Sequence, residues 1–490
     1  MAQNKTSLST WTLHNIHNQE IGKWSCDTIF PITNSVFAYQ IQHHWGLMWL
    51  PAKKVIEPTF EGIGTQSVNN NVIFKANGKY GLLSLKGYSA LPPAFDSIYM
   101  TLNHIYTKNE LGWQVYSGHN YKPLSAVFEA MQPASQGLRA VKPDGGCWTY
   151  TDSAGRYVLP VSFDTLEAFV NNNAIAKREG LWGVLEISGN WLQNPVYKNL
   201  TRLTDSTFLA QTDSNFAMID LYGNAMHATK DTLRLREDGF VLQKRAVKVG
   251  LWDRNGCKIV PVELDYEQIS DFNPKDSTFI LSQDVCRGMA HARLGVTLPP
   301  SPKFSRIEPM AEGLARAKIG KYYGFIDLNG FVRIANRYDS VGIFSEGLTA
   351  VMLKKRWGYI NRNENIIIQP LYQKALPFGR GVAIIKKKNE FGIVNANGQE
   401  VHAAALDSLY QLESGYFVSV KNKHKGILQP TGQVITYPNF DNIEHLYNGL
   451  FLVERNNKFG VYKTDGEPFI PLTYRRISYE HRFKLYCIKH

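Results

Sequence analysis

Cysteine is scarce in this 490-residue sequence, and its few copies are widely separated. The five residues, in no CxxC pair, are Cys26, Cys147, Cys257, Cys286 and Cys487. Their odd number and wide spacing argue against a disulfide framework and against a cysteine zinc site. The stretch before Trp24 is polar and lacks a signal-peptide core, and no apolar run approaches the roughly 18 residues of a membrane helix. We therefore expect a soluble, cytoplasmic protein.

Enzyme signatures are also missing. The sequence contains no HExxH, GxSxG, P-loop or Rossmann glycine pattern. His43-His44 is the one adjacent histidine pair, and few carboxylates lie near it, so we expect no metal site there. Ser, His and Asp are present, but at no spacing that indicates a triad. The sequence thus predicts a protein that is not an enzyme, with no catalytic residues, no metal and no cofactor.

Aromatic residues and positive charge are plentiful instead. Aromatic side chains make up 12% of the sequence, which suits strands better than helices. The net charge is +12. Residues 311–490 hold 25 Lys and Arg against 15 Asp and Glu, so most of the positive excess lies in the last third of the chain. An acidic partner should therefore meet that part.

A fixed spacing of glycines runs through the same part of the sequence. The glycines at the second position of five dipeptides recur at equal intervals, at 324, 358, 392, 426 and 460. A second glycine series precedes the first and keeps the same interval, at 313, 347, 381, 415 and 449. Downstream lies an aromatic residue followed by an acidic or polar one, as in Tyr338-Asp339. A period of this kind, about 34 residues, indicates tandem repeats.

The repeat unit reads as short strands joined by tight turns. Leu450–Glu454, Phe459–Tyr462 and Phe469-Ile470 have strand character, and Asp465-Gly466 is a hairpin turn signal. Asn-Gly turns every few residues exclude the helical repeats of similar length. We therefore predict an all-β tandem array of about 13 three-stranded units of ~34 residues. An open superhelical β-solenoid is the favoured geometry, and two propeller-like halves joined near residues 283–305 are the alternative.

The domain organisation follows from the unit positions. We expect an N-terminal cap at 1–40, seven repeats at 41–282, a degenerate repeat and bend at 283–307, five regular basic repeats at 308–478 and a C-terminal cap at 479–490. The bend is placed there because Pro299, Pro300 and Pro302 interrupt the pattern.

These repeats resemble the WG-repeat (also called KWG-repeat) family. The resemblance rests on Lys79–Leu83, Leu181–Leu185, Arg356–Ile360 and Lys458–Tyr462, and it covers about residues 40–478. Proteins of this family are similar all-β arrays, mostly bacterial, with interaction roles and no shared catalytic residues. The resemblance therefore implies an all-β repeat architecture and an interaction role.

Two sets of residues are candidates for function. The structural repeat positions are Trp45, Gly46, Tyr80, Gly81, Trp182, Gly183, Tyr323, Gly324, Trp357, Gly358, Phe391, Gly392, Phe459 and Gly460. We expect these aromatic rings to pack between units, because a structural position must be filled in every repeat. The basic stripe, expected along one edge of the array, comprises Lys354, Lys355, Arg356, Lys386, Lys387, Lys388, Lys421, Lys423, Lys425, Arg455 and Lys458. Lysines in exposed turns also protect strand edges from aggregation, so this structural role stays open.

We predict a non-enzymatic binding scaffold or adaptor that presents an extended β-repeat surface to a protein partner, in a bacterial assembly. One alternative is binding of nucleic acid or another anionic polymer through the basic stripe, with affinity that falls steeply with salt. Another is carbohydrate binding by exposed Trp and Tyr rings, which requires several of Trp45, Trp148, Trp182 and Trp357 to be accessible.

Overall fold

The chain is almost entirely β-structure. A computed structural model describes residues 8–50, 54–159, 162–447 and 449–490, so residues 1–7 of the predicted N-terminal cap lie outside the described part. The described residues form 54 strands and one 3-10 turn, Val262–Leu264. None of them belongs to a helix long and apolar enough to cross a membrane. The predicted all-β class is confirmed.

The described strands form thirteen antiparallel sheets, twelve with four strands and one with six. In all but one, successive strands are neighbours. The first two strands are β1 (Ser9–His14) and β2 (Glu20–Cys26). The next sheets are β3 (Thr28–Pro31), β4 (Val36–Ile41), β5 (His44–Trp49), β6 (Lys54–Phe60); then β7 (Gly62–Val68), β8 (Asn71–Ala76), β9 (Lys79–Ser84), β10 (Ser89–Phe95). The six-stranded sheet has β11 (Ser97–Met100), β12 (His104–Asn109), β13 (Gly112–Ser117), β14 (Phe128–Met131), β15 (Leu138–Pro143), β16 (Thr149–Asp152).

Four-stranded sheets continue along the middle of the chain. They are β17 (Thr165–Leu166), β18 (Asn173–Arg178), β19 (Leu181–Glu186), β20 (Trp191–Tyr197); β21 (Asn199–Arg202), β22 (Thr207–Gln211), β23 (Phe216–Asp220), β24 (Ala225–Thr229); β25 (Thr232–Leu235), β26 (Val241–Arg245), β27 (Lys248–Trp252), β28 (Lys258–Val260); and β29 (Gln268–Ile269), β30 (Thr278–Gln283), β31 (Cys286–His291), β32 (Gly295–Ser301). The expected bend at 283–307 falls on the last strands of a regular sheet and the start of the next.

The most regular repeats follow. Their sheets are β33 (Arg306–Ile307), β34 (Ala315–Ile319), β35 (Tyr322–Ile326), β36 (Val332–Tyr338); β37 (Ser340–Val341), β38 (Leu348–Leu353), β39 (Arg356–Asn361), β40 (Ile366–Tyr372); β41 (Lys374–Ala375), β42 (Val382–Lys387), β43 (Glu390–Asn395), β44 (Glu400–Leu406); β45 (Ser408–Gln411), β46 (Phe417–Lys421), β47 (His424–Leu428), β48 (Val434–Phe440); and β49 (Asn442–Tyr447), β50 (Leu450–Arg455), β51 (Lys458–Tyr462), β52 (Pro468–Tyr474). The last strands are β53 (Arg476–Glu480) and β54 (Leu485–Lys489).

The predicted three-stranded unit is wrong, because each repeat has a further short strand. In the sheet β37–β40, the missed strand is β37, which pairs Ser340 with Met352 and Val341 with Val351. The same happens at β33 and β41. A four-stranded antiparallel meander is the blade of a β-propeller.

The predicted open β-solenoid is also wrong, because one sheet combines both ends of the described chain. We call this the closing sheet; its strand order is β2-β1-β54-β53. Strand β1 pairs with β54, with Trp11 opposite Lys489 and His14 opposite Tyr486. An N-terminal and a C-terminal strand therefore complete one blade together, as in propellers.

The chain divides into two compact units. One holds the chain up to Lys198 together with Leu446–Lys463 and Pro468–His490; the other holds Asn199–His445 and Thr464–Glu467. The alternative of two propeller-like halves joined near residues 283–305 therefore fits only in part, since residues 283–305 lie inside the second unit.

The core lies between the faces of successive sheets. In the second unit, Ala350 and Tyr359 of one blade pack with Ala383 and Ile385 of the next. Hydrogen bonds at the second glycine series support this stacking, because Glu346 accepts from the backbone amide of Gly381 at 2.8 Å. Gly381 has φ +80°, a conformation that glycine adopts at little cost. The same contact joins Glu312 to the amide of Gly347 at 3.2 Å.

Two buried thiols in the closing sheet provide a test of the closure. Cys26 and Cys487 share one hydrophobic cluster, and burial raises the pKa of each to about 12. At pH 8 both should stay protonated and unreactive towards a thiol reagent, whereas exposed Cys147 and Cys257 should react at once. The double variant Cys26→Ser/Cys487→Ser should have the same number of fast-reacting thiols as the wild type. That result would identify Cys26 and Cys487 as the protected thiols. Fast modification of four thiols in the native protein would contradict the sealed closing sheet.

Candidate interaction surface at the hairpin turns

The basic stripe lies on the two-residue turns that join the second and third strands of the blades. Lys354-Lys355 connects β38 to β39, and both residues have positive φ, 49° and 64°. The turns Lys388-Asn389 and Asn422-Lys423 have the same geometry. Positive φ at both central positions is the type I′ arrangement, which matches the twist of the flanking strands.

Polar side chains just before the first strand of a blade hold these turns in place. Asp407 accepts from the backbone amide of Asn422 at 2.6 Å, and Gln373 accepts from that of Asn389 at 2.6 Å. The Asn422 amide and the Lys421 ammonium lower the pKa of Asp407, so its carboxylate stays charged at neutral pH. In the first unit, Asp27 and Asp164 make the same bond to the amides of Gln42 and Gly180, both at 2.8 Å. The aromatic–acidic sequence signal therefore marks a fixed turn.

Most cations of the stripe are left without a partner. Within the described residues, no carboxylate or other polar group binds the side chains of Lys354, Lys355, Arg356, Lys388, Lys423, Arg455 and Lys458. All seven are exposed. Their charges are therefore available to a binding partner. Arg455 and Lys458, which flank the Asn456-Asn457 turn, belong to the first compact unit and the other five to the second.

The remaining cations are already engaged. Lys387 binds Glu400 at 2.7 Å, and this contact raises the pKa of Lys387. Lys421 binds Glu390 at 2.8 Å and Asp407 at 3.3 Å. Because Glu390 flanks the turn of the preceding blade, this ion pair places the turns of two successive blades side by side. Lys425 donates to the Asn442 side chain at 2.8 Å.

The glycine of each aromatic-glycine pair faces the backbone of the next strand in the same sheet. A side chain at Gly324 would lie 2.5 Å from the carbonyl oxygen of Ile334, and one at Gly183 would lie 2.5 Å from that of Gln193. The strand register shifts at both places, which pushes the carbonyl inward. These glycines are structural, because the space that a Cβ would need is filled.

The aromatic partners are half-buried, and many carry a lysine over one ring face. Lys177 lies 5.6 Å from the Trp182 ring centroid, and Lys386 lies 5.1 Å from that of Phe391. Lysines also cover Tyr80, Trp113 and Tyr323. Such contacts stabilise the pair by about 0.5–1 kcal/mol each at exposed sites. A sugar would have to displace the lysine to stack on such a face, so these repeats favour packing over carbohydrate binding.

Two structural features were not predicted from the sequence. The first is that Asp407 and Gln373 hold turns that lie 15 and 16 residues further along the chain. An acidic or amide residue at that distance before a turn was the available sequence signal. The other is a cavity lined by residues between 99 and 153, which follows no repeated motif.

A known protein family matches the repeats. The family described as WG containing repeat matches residues 148–182, 301–323, 323–357, 357–390 and 426–459. No curated protein matches the sequence significantly.

Solved structures match over long alignments at very low identity. The extracellular domain of a putative one-component system from B. thetaiotaomicron is 12% identical, with 97% of this chain and 83% of that chain covered and a TM-score of 0.22. PorZ, a surface component of the type-IX secretion system of Porphyromonas gingivalis, is 10% identical over 90% and 85%, with a TM-score of 0.21. Kluyveromyces lactis Hsv2p is 9% identical over 55% and 99%, with a TM-score of 0.23. Scores this low support no conclusion about function.

The sequence motifs, the blades and the five matched segments agree with one another. The aromatic-glycine strand, the glycine that admits a neighbouring carbonyl and the turn that follows recur from blade to blade. The five matched segments are therefore repeats of the WG type.

Proposed function

We propose that this protein is a non-enzymatic binding scaffold that uses the hairpin turns of residues 354–356, 388 and 423 to bind an acidic surface of a protein partner. The observation that carries the proposal is the row of exposed cations without carboxylate partners on three blades in sequence. Where a cation has an internal partner, as Lys421 does, its charge is already compensated. Unpaired cations on neighbouring blades attract an acidic surface and speed its association.

The backbone of these turns supports a role in binding over simple edge protection. Lysine at positive φ costs about 1 kcal/mol or more per residue relative to glycine. Lys354 and Lys355 occupy both such positions of one turn, where Asn-Gly would be more stable. Lysines that only protected an edge could lie on the flanking strands without this strain. Strained residues at an exposed, charged turn are typical of functional positions.

The strain makes it possible to remove charge without weakening the fold. The turn variant combines Lys354→Asn, Lys355→Gly, Lys388→Asn and Lys423→Gly. We expect its melting temperature to equal or exceed that of the wild type, because Asn and Gly relieve positive-φ strain. It should nevertheless lose the partner. An affinity pull-down of the intact protein, treated with nuclease and followed by identification of the retained proteins, measures this.

The matched control removes four positive charges elsewhere in the same compact unit. Lys230→Gln, Lys275→Gln, Arg293→Gln and Lys303→Gln all change exposed residues. The control should retain the same protein as the wild type, with retention falling as salt rises. Equal retention by all three proteins would show that the turns do not bind the partner.

Nucleic acid remains the second candidate, because the same cations could contact phosphates. A fluorescently labelled dT20 oligonucleotide tests it directly against labelled poly-glutamate. Binding of dT20 with a steep salt dependence, lost in the turn variant, would favour the nucleic-acid function over the protein scaffold. We expect the turn variant to affect poly-glutamate alone.

We also propose a cytoplasmic location and a bacterial assembly as its setting. The location is supported by five free cysteines, two of them buried thiols, since disulfides are rare in reducing compartments. Cell fractionation with an antibody against the protein tests the location; recovery in the extracellular or surface fraction would contradict it.

A further inference from the structure

A cavity in the first compact unit offers a second kind of site. It has a volume of about 860 Å³ and is lined by residues of the six-stranded sheet and the turns beside it. Volumes of roughly 300–1,000 Å³ are typical of small-molecule sites. Its apolar lining includes Leu102, Trp113, Met131 and Pro133.

A buried arginine is the most informative part of the lining. Arg139 is only 6% exposed, and its Nη1 donates to the backbone carbonyl of Gln132 at 2.7 Å. Its Nε has no hydrogen-bond partner. Across the described residues, no carboxylate forms an ion pair with Arg139, and none lines the cavity. A buried guanidinium without an anion is costly, and it would gain strongly from a ligand that supplies one.

The guanidinium is held in a fixed plane. It lies over the ring of Tyr106, 4.1 Å from the centroid, and the Tyr106 hydroxyl donates to the backbone carbonyl of Ser153 at 3.0 Å. Stacking of this kind leaves the edge of the guanidinium to form hydrogen bonds, and a planar fork matches a carboxylate. The site is therefore preorganised before a ligand enters.

Aromatic walls complete the cavity. Tyr99 is 56% exposed and stacks on Tyr106 with ring centroids 5.7 Å apart. Trp113 is half-buried, with Lys108 over its ring. Burial lowers the pKa of His104, so this neighbour is neutral at pH 7 and Arg139 is the cation among the lining residues. One positive charge among apolar walls suits a monoanion better than a phosphate dianion.

We propose that this cavity binds a small organic monocarboxylate with a flat, apolar body: Arg139 binds the carboxylate, and the ring of Tyr99 packs against the body. The residues involved lie on the six-stranded sheet and the turns beside it, and they play no part in the basic turns. This site therefore goes beyond the proposed scaffold and does not depend on it.

Calorimetric titration of the full chain with 2-naphthoate tests the proposal, with 2-naphthamide as the uncharged probe of the same shape. We expect saturable binding of one 2-naphthoate per chain and at least roughly tenfold weaker binding of the amide, the loss expected for one charge-assisted hydrogen-bonded contact. Arg139→Met should weaken 2-naphthoate by a similar factor and leave 2-naphthamide unchanged. Arg178→Met, which removes an exposed arginine of the same unit, should bind both probes like the wild type.

A second variant keeps the test decisive if Arg139→Met does not fold. Ala134 is an exposed residue of the cavity wall, so Ala134→Trp should fill the entrance without disturbing the core, and 2-naphthoate binding should disappear. The proposal would be overturned if the wild type failed to bind 2-naphthoate, if it bound the amide equally well, or if Ala134→Trp left the affinity unchanged.

Discussion

A chain that ends at Lys484 should lose its cooperative fold in the first compact unit. This truncation removes β54, which pairs with β1 on one side and β53 on the other. It removes the buried side chains of Tyr486, Cys487 and Ile488 and uncovers Trp11 and Leu13. Burying one such side chain stabilises by about 1.5–3 kcal/mol, so the loss should exceed about 5 kcal/mol. That is a large share of the roughly 5–15 kcal/mol by which a typical domain is stable.

The experiment separates a closed array from an open one. In an open solenoid, removal of a terminal strand frays the last repeat and leaves the others folded. In the closed array it breaks the sheet that joins both ends, and Cys26 should become reactive at pH 8. Urea unfolding followed by circular dichroism, together with thiol labelling, measures both effects. Unchanged unfolding and a protected Cys26 would contradict the role of the closing sheet.

A point variant controls for the truncation. Tyr486 donates or accepts a hydrogen bond with Tyr447 at 2.8 Å, and Tyr486→Phe removes only that bond. We expect this variant to lose about 1 kcal/mol and to keep Cys26 protected, because a buried hydrogen bond contributes on that scale. A small loss of stability in Tyr486→Phe, beside a large loss in the truncated chain, would show that the large loss comes from removing β54.

The sequence could predict what is local and repeated. The regular spacing of glycines such as Gly358 reflects a contact made inside every blade, so it recurs at a fixed distance. The extra strand of each blade was missed because β37 and β41 have two residues each, too few to show an alternation of apolar and polar side chains. The pairing of β1 with β54 was missed because the two strands lie at opposite ends of the chain. The residue pattern of a single strand does not indicate which distant strand it pairs with.

The candidate sites divide in the same way. The cations of the turns could be predicted, because exposed hairpin turns between alternating strands are recognisable. Which of them remain free could not, since Lys421 is compensated by Glu390 of another blade and Lys423 is not. The cavity around Arg139 depends on a place where two repeats share one sheet through β14, and no periodic signal describes such an exception.

Substituting Gly358 with alanine should be among the most damaging small changes in the protein. A Cβ at this position would overlap the carbonyl oxygen of Ile368 and lie 2.7 Å from the backbone nitrogen of Pro370. Both are backbone atoms of β40, held by pairing with β39, so they cannot move aside as a flexible side chain would. We expect Gly358→Ala to lower the free energy of unfolding by about 3 kcal/mol, the upper part of the range for overpacking.

Gly347→Ala is the matched comparison, because it adds the same methyl group just before β38 of the same sheet. Gly347 has φ +76°, and nothing lies within 4 Å of the position that its Cβ would take, so the cost is the conformational strain alone, about 1 kcal/mol. The hydrogen bond from its backbone amide to the Glu312 carboxylate is kept in this variant. Urea unfolding of both variants measures the difference. If Gly358→Ala proved no worse than Gly347→Ala, the neighbouring carbonyl would not be the reason that the WG glycine recurs. The same reasoning would then fail at Gly324, Gly392 and Gly460.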